Sequence, residues 1–284
     1  MSATNSPHCH GEAKWSSFSV LIDDGVAEVC IDTGTTGNLL GIDFWRELPV
    51  LFRQLDSDPR VNAVLVSAAG QHFSYGIDLN VMTELFGEVF SEGGMAAART
   101  DFLCAIREVQ AAVSAVAQCC KPVIVESHGW CIGAAVDFIA AADIRYASSD
   151  ARFSVREIKV GIVADLGSLQ RLPTIIGDAH LRELAFTGDD IDAGRACRIG
   201  LVNDVLSDRS AALEHARATA RRIARNAPLP VQGVKQILEG ARRPVVEEGL
   251  RHVATWNSAF LPSADLNEAI SAVLEKRQPH FMGQ

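Results

Sequence analysis

IGAAVDFIAAADIRYA, residues 132–147, places an acid inside an otherwise apolar run that passes into a β-rich stretch. Residues 134–142, AAVDFIAAA, have the length and alanine content of a short buried helix. DIRYAS (143–148) and ARFSV (151–155) then read as strands. A carboxylate in such a helix must be paired, protonated or employed. For an isolated aspartate the ordinary explanations are a solvent-facing helix surface or a hydrogen bond to nearby backbone. Asp137 therefore has to be weighed against the rest of the chain.

Outward from this stretch, KPVIVESHG (121–129) and NAVLVSAAG (62–70) read as buried strands ending in small residues. Each feeds a loop and then a helix, at 129–137 and 70–79, the place where α/β proteins tend to bind ligands. FSVLIDDGVAEVCIDT (18–33) is a hairpin signal around Asp24-Gly25, and 43–57 has helical period. Residues 79–119 read as mainly helical, interrupted by a mobile loop at SEGGM (91–95). From about 209 onward the chain is almost wholly helical, with proline breaks at NAPLPV (226–231) and RRPV (242–245). The order predicts an α/β core over 17–208 with a helical region over 209–284.

Composition narrows the function. A chain of 284 residues with 48% hydrophobic and 21% charged residues suits an ordinary globular protein. Net charge −9 and pI near 5.4 argue against nucleic acid as a partner, and no apolar run is long enough to span a membrane. The seven cysteines (9, 30, 104, 119, 120, 131 and 197) are odd in number and follow no metal-ligand spacing. With no secretory signal ahead of them, the expected setting is the cytoplasm. The opening is not Arg-rich and the chain closes on Met-Gly-Gln, so neither a transit peptide nor a peroxisomal tripeptide is expected. His8, Cys9 and His10 invite a metal reading, but adjacent residues at a terminus rarely converge on one ion. Residues 1–16 are expected to be a disordered tail, and no metal or redox cofactor is expected.

SAAGQHFSYGIDL (67–79) and HGWCIGAAVDFIAAADIRYASSDARFSVREIKVGIVADLGSLQRLP (128–173) resemble the two signatures of the crotonase (enoyl-CoA hydratase/isomerase) superfamily. LAFTGDDIDAGRACRIGLV (184–202) and EKR (275–277) fit as well, so the resemblance runs over roughly 17–281. It implies a crotonase (ClpP-like) fold, an α/β spiral of ββα units with a helical C-terminal trimerisation region, as a homotrimer or dimer of trimers. It also implies an acyl-CoA thioester substrate, CoA being part of the substrate rather than a cofactor. By motif position, the backbone N–H groups of Ile77 and Ala134 would form an oxyanion hole for the thioester enolate. Ala134 and Ala135 stand where the family usually has glycine, which leaves the N–H available. Tyr75, Gly76, Asp78, Leu79, Ala135 and Lys276 would contact substrate, and 79–97 would line the acyl tunnel.

Three acids bear on the reaction. Hydratases of the family typically carry two glutamates at the positions of Asp137 and Glu157. Asp165, in GIVADLG, stands where they commonly have an uncharged turn. The set Asp137, Glu157 and Asp165, with VREIKVGIVADLGSLQRLP and ATWNSAF (254–260), resembles the Δ3,5-Δ2,4-dienoyl-CoA isomerases. This implies isomerisation of 3,5-dienoyl-CoA to 2,4-dienoyl-CoA in fatty-acid β-oxidation, with Asp165 protonated while Glu157 is charged. Taken alone, Asp165 would read as an N-cap before LGSLQRL, and Glu157 as a solvated partner of Arg156 or Lys159. The alternatives are 2-enoyl-CoA hydration by Asp137 and Glu157, and a non-catalytic acyl-CoA-binding scaffold. His72 and His128 read as hydrogen-bonded loop residues, and Glu126, in a strand of apolar neighbours, stands out without an assigned role.

Overall fold

Asp24 and Gly25 both have positive φ, 46° and 79°, the turn geometry whose twist matches an antiparallel hairpin. They join β1 (Phe18–Asp23) to β2 (Val26–Ile31). The computed structural model describes residues 15–78, 96–261, 263–275 and 277–283. After the hairpin come α1 (Ile42–Ser57), β3 (Ala63–Ala68), α2 (Ala96–Gln118), β4 (Val123–Ser127), β5 (Trp130–Ile132) and α3 (Ala134–Ala140). Next follow β6 (Ile144–Ser148), β7 (Arg152–Ser154), a 3-10 turn (Glu157–Val160), α4 (Ser168–Arg171), α5 (Pro173–Ile176) and α6 (Asp178–Thr187). The chain continues with β8 (Ile191–Asp192), α7 (Ala193–Arg198), β9 (Asp204–Leu206), α8 (Arg209–Ala224), α9 (Pro228–Phe260) and α10 (Ala264–Glu275).

Six strands form one sheet in the order β1-β2-β3-β4-β6-β9, parallel at every pair except the hairpin. β3 and β4 are buried on both faces, which is why they read as unbroken apolar runs. α8 covers one face through Ala212, Ala216, Ala220 and Ala224, a small-residue stripe at four-residue spacing. The last three pack with Val26, Ala63, Leu65, Ile124 and Tyr146. On the other face, side chains of α1, α2 and α3 join the largest core cluster. The ARFSV strand lies outside the large sheet: β5, β7 and β8 make a separate three-stranded sheet. That small sheet carries β5 straight into α3 and so fixes the start of the helix bearing Asp137.

The break expected at 242–245 is absent, because α9 runs through Pro244 as one helix of 33 residues. An interior proline costs about 3 kcal/mol. Here it lies on an exposed stretch, so the carbonyl that loses its partner can be hydrated. Beyond it, Leu250 and Val253 are buried, each contributing about 1.5–3 kcal/mol, which offsets the cost. The break at 226–231 is shorter than expected, since Pro228 and Pro230 occupy the first turn of α9, where no helical N–H bond is needed. Residues 1–14 of the expected tail, and the loop expected at 91–95, lie outside the described residues. Trp15 packs on the core, and the N–H groups of Ser16 and Ser17 donate to the Glu47 carboxylate at 2.7 and 2.9 Å.

Candidate active site

The two loops singled out in the sequence are stitched together by backbone. Phe73 and Ser74 donate N–H groups to the carbonyls of His128 and Trp130 at 2.9 and 3.0 Å, and Ile132 donates back to Ser74 at 3.0 Å. The Ser74 hydroxyl donates to the Asn38 carbonyl at 2.7 Å and accepts the Gly76 N–H at 2.9 Å. This close approach requires glycine at 76. Its φ is +87°, and a Cβ there would lie 2.7 Å from the Ile132 carbonyl oxygen and 3.4 Å from the Ala134 nitrogen. The Gly133 carbonyl accepts from Val136 and Asp137, which leaves the first amides of α3 without an acceptor inside the helix. Among the described residues, neither the Ile77 nor the Ala134 N–H donates to a protein acceptor. Both residues border one cavity.

That cavity, about 530 Å³, runs from Tyr75, Trp130 and Arg156 past Gly76, Ile77, Gly133 and Ala134 to Phe102, Ile106, Ile162 and Leu261. Asp137, Glu157 and Asp165 all line it. All of α3 is buried, so Asp137 has no solvent face; its carboxylate accepts the backbone N–H of Ser168. The acid that satisfies the start of α4 is therefore Asp137. Asp165 does not cap it, because Gly167 holds the cap position and the Asp165 carboxylate instead accepts the Asn257 amide at 2.7 Å. Nor is Glu157 a solvated ion-pair member. Arg156 pairs with Asp190 and Lys159 with Asp189, while Glu157 Oε2 is enclosed without a hydrogen-bond partner. Its Oε1 stands 3.3 Å from where a Cβ on Gly133 would lie, beside the Ala134 amide.

All three carboxyls hold their protons more tightly than usual. Burial raises Asp137 to about 6, against the opposing Ser168 hydrogen bonds. Burial, then the charges of Asp137 and Asp165, push Glu157 to about 8. Burial raises Asp165 to about 7, with the Asn257 hydrogen bond pulling the other way. Carboxylates crowded in a largely apolar cavity resist ionising together, so protons stay within the group at neutral pH. Asp137 and Asp165 both act on Glu157 and its Oε2 lacks a donor, whereas Asp165 accepts the Asn257 amide. The arrangement places three acids along one largely apolar cavity, which the backbone N–H groups of Ile77 and Ala134 border.

Not every expected contact lies here. Ala135 is wholly buried in the core and does not line the cavity, because its side chain points into the helix packing. Asp78 is half-buried and outside the lining, its N–H bound to the Leu40 carbonyl. Leu79, Lys276 and most of the expected acyl-tunnel segment lie outside the described residues. Arg277 is engaged by Glu268 and Glu275. The Trp130 N–H donates to His72 Nδ1 at 3.2 Å, and Glu126 Oε2 is partnered by His128 Nδ1 at 3.3 Å, while its Oε1 has no hydrogen-bond partner among the described residues. Two residues were missed in the sequence, Asn257 and Gln110. The Gln110 amide donates to the carbonyls of Asp165 and Leu250 at 2.7 and 3.0 Å. ATWNSAF contained the first signal; nothing local marks the second.

The chain matches the family model described as Enoyl-CoA hydratase/isomerase over residues 22–284. It is 43% identical over 259 residues to the peroxisomal Delta(3,5)-Delta(2,4)-dienoyl-CoA isomerase of Arabidopsis thaliana, covering 91% of this chain and 93% of that one. To the mitochondrial Delta(3,5)-Delta(2,4)-dienoyl-CoA isomerase of Dictyostelium discoideum it is 41% identical over 257 residues, 90% of this chain and 87% of the other. The crystal structure of an enoyl-CoA hydratase/isomerase from Pseudoalteromonas atlantica T6c matches with TM-score 0.81 at 26% identity, over 94% of this chain and 100% of that one. The crotonase fold expected from the sequence is thus the fold found. The peroxisomal and mitochondrial relatives overturn the cytoplasmic setting. Free thiols argue only against an oxidising secretory route and do not choose among the other compartments.

Proposed function

The chain belongs to the enoyl-CoA hydratase/isomerase family, and we propose that it isomerises 3,5-dienoyl-CoA to 2,4-dienoyl-CoA. The observation that carries this is Asp165, turned into the same cavity as Glu157 and held by Asn257 instead of capping a helix. Glu157, beside Gly133 and Ala134, takes a proton from C2 of the thioester. The resulting charge spreads over the conjugated chain to the carbonyl oxygen, which the Ile77 and Ala134 N–H groups receive. Asp165, on the α9 side of the cavity, returns a proton at C6. Asp137, fixed by Ser168, keeps the shared protons in balance. The 43% identity to an isomerase supports the substrate class. Ultraviolet spectra test it. Incubation with 3,5-dienoyl-CoA should extend conjugation with the thioester, whereas loss of absorbance from a 2-enoyl-CoA alone would favour hydration, and no change with either would favour a scaffold.

This mechanism needs one proton on the Glu157–Asp165 pair, with Asp165 as its carrier at the start of turnover. The reaction ends with the proton on Glu157, so the pair must exchange with solvent before the next turnover. The rate should therefore be bell-shaped in pH. It falls above about 8, where both acids are ionised, and below about 7, where both are protonated. Each limb should approach a tenfold loss per pH unit, roughly, as one ionisation controls it. A flat rate from pH 5 to 9 would contradict the two-acid pair.

Ala134→Pro isolates the oxyanion donor. Proline suits the first position of a helix, so α3 should form while the N–H is lost. The expected cost is on the order of a hundredfold in kcat. A variant that folds and keeps the wild-type rate removes Ala134 from the site. The exposed Leu229, Val234, Ile237 and Val245 along α9 support self-association of that helix's surface, in keeping with a homotrimer.

A further inference from the structure

Asn257 lies on α9, 92 residues from Asp165 in the chain, and is almost wholly buried. Its amide nitrogen spends both protons within the active-site loop, one on Asp165 Oδ2 at 2.7 Å and one on the Val163 carbonyl at 2.9 Å. Both donors of this buried amide are therefore committed to one loop, the one that carries Asp165. We propose that Asn257 is a positioning residue for the reaction. It commits Asp165 Oδ2 as an acceptor, so that the other oxygen, Oδ1, carries the proton delivered at C6. The Val163 bond fixes the amide plane, which in turn fixes the plane of the carboxyl group. Gln110 holds the Asp165 backbone from α2, so side chain and main chain are clamped from two helices.

The charge consequence follows from the same bond. When Asp165 gives up its proton it becomes a buried carboxylate beside Asp137 and Glu157. An N–H donor already aimed at Oδ2 stabilises that charge as it develops, without reorganisation. It thereby offsets part of the burial that pushes Asp165 up to about 7. The long C-terminal helix is thus part of the proton-transfer machinery, although no atom of Asn257 need touch substrate.

The inference rests on the isomerase reading, so its test uses one measurement independent of turnover. Asn257→Leu removes the donor at similar volume; Asn257→Asp keeps the shape and replaces the donor by a second acid, and serves if the leucine variant does not fold. The titration of Asp165 is followed by carbon NMR of aspartate-labelled protein, assigned with Asp165→Asn. Its midpoint should rise by about one to two pH units in Asn257→Leu, and further in Asn257→Asp. The isomerase kcat should fall about a hundredfold with KM little changed. Adding Asn257→Leu to Asp165→Asn should cost nothing more, since the amide acts through a proton no longer there. An unmoved midpoint, or the full loss recurring on top of Asp165→Asn, would overturn the role. If wild type does not isomerise dienoyl-CoA at all, the functional reading fails while the titration still decides what Asn257 does.

Discussion

Asp165→Asn should lose dienoyl isomerisation by about 10²–10⁴-fold while folding as wild type. The amide is nearly isosteric, and its carbonyl oxygen can still accept from Asn257 Nδ2, so the loop keeps its anchor. Ser168 is bound by Asp137, and Asp165 contributes nothing to the start of α4 that the variant could take away. What the variant lacks is the proton for C6. Glu157 and the two backbone donors remain, so exchange of the C2 protons with deuterium oxide should survive. The pair of assays on one variant separates a proton donor from a structural residue: isomerisation lost with exchange retained supports the donor. An undiminished isomerase rate would return Asp165 to a structural role.

Glu157→Gln should behave differently. Both isomerisation and C2 exchange should fall by on the order of 10³ or more, since the amide cannot take a proton at neutral pH. The site is permissive of the change in shape, because Oε2 makes no hydrogen bond that the substitution would break. The variant should be at least as stable as wild type at high pH. There, the wild-type protein has to ionise a carboxyl that burial holds up to about 8, and the amide never does. The sign follows from the raised value: the folded state binds that proton more tightly than the unfolded chain, so in wild type stability falls as pH rises from the ordinary carboxylate range up to about 8, where the loss is complete, and the variant has no such fall through this group. Kinetics with thermal melts at pH 6 and 9 would check both. Full activity in a folded Glu157→Gln protein would remove Glu157 from the mechanism.

Much of this was legible in the chain because the features are local. The Asp24-Gly25 hairpin declares itself through two residues that tolerate positive φ. β3 and β4 are apolar on both faces, as strands covered on both sides must be. The three acids sit within the second signature, and folding brings them to one cavity. What was not legible depends on distant parts of the chain. Pro244 is a break by local rule, yet burial of Leu250, Val253 and Ala254 carries α9 through it. Asp165 is a good local N-cap, and only its approach to Asn257 takes it elsewhere. Glu126 looks misplaced until His128 is found beside it. The raised proton affinities of Glu157 and Asp165 depend on burial, and that of Asp165 also on a donor from another helix, neither of which a motif encodes.

The most direct test of the two-acid mechanism is the fate of one proton. Protein equilibrated in deuterium oxide carries deuterium on Asp165 before it meets substrate. In a single turnover with protiated 3,5-dienoyl-CoA, followed by NMR of the 2,4-dienoyl product, the C2 proton should leave on Glu157 and deuterium should appear at C6. Protium at C6, carried across from C2, would mean that one group both takes and returns the proton, and would contradict the separate roles of Glu157 and Asp165.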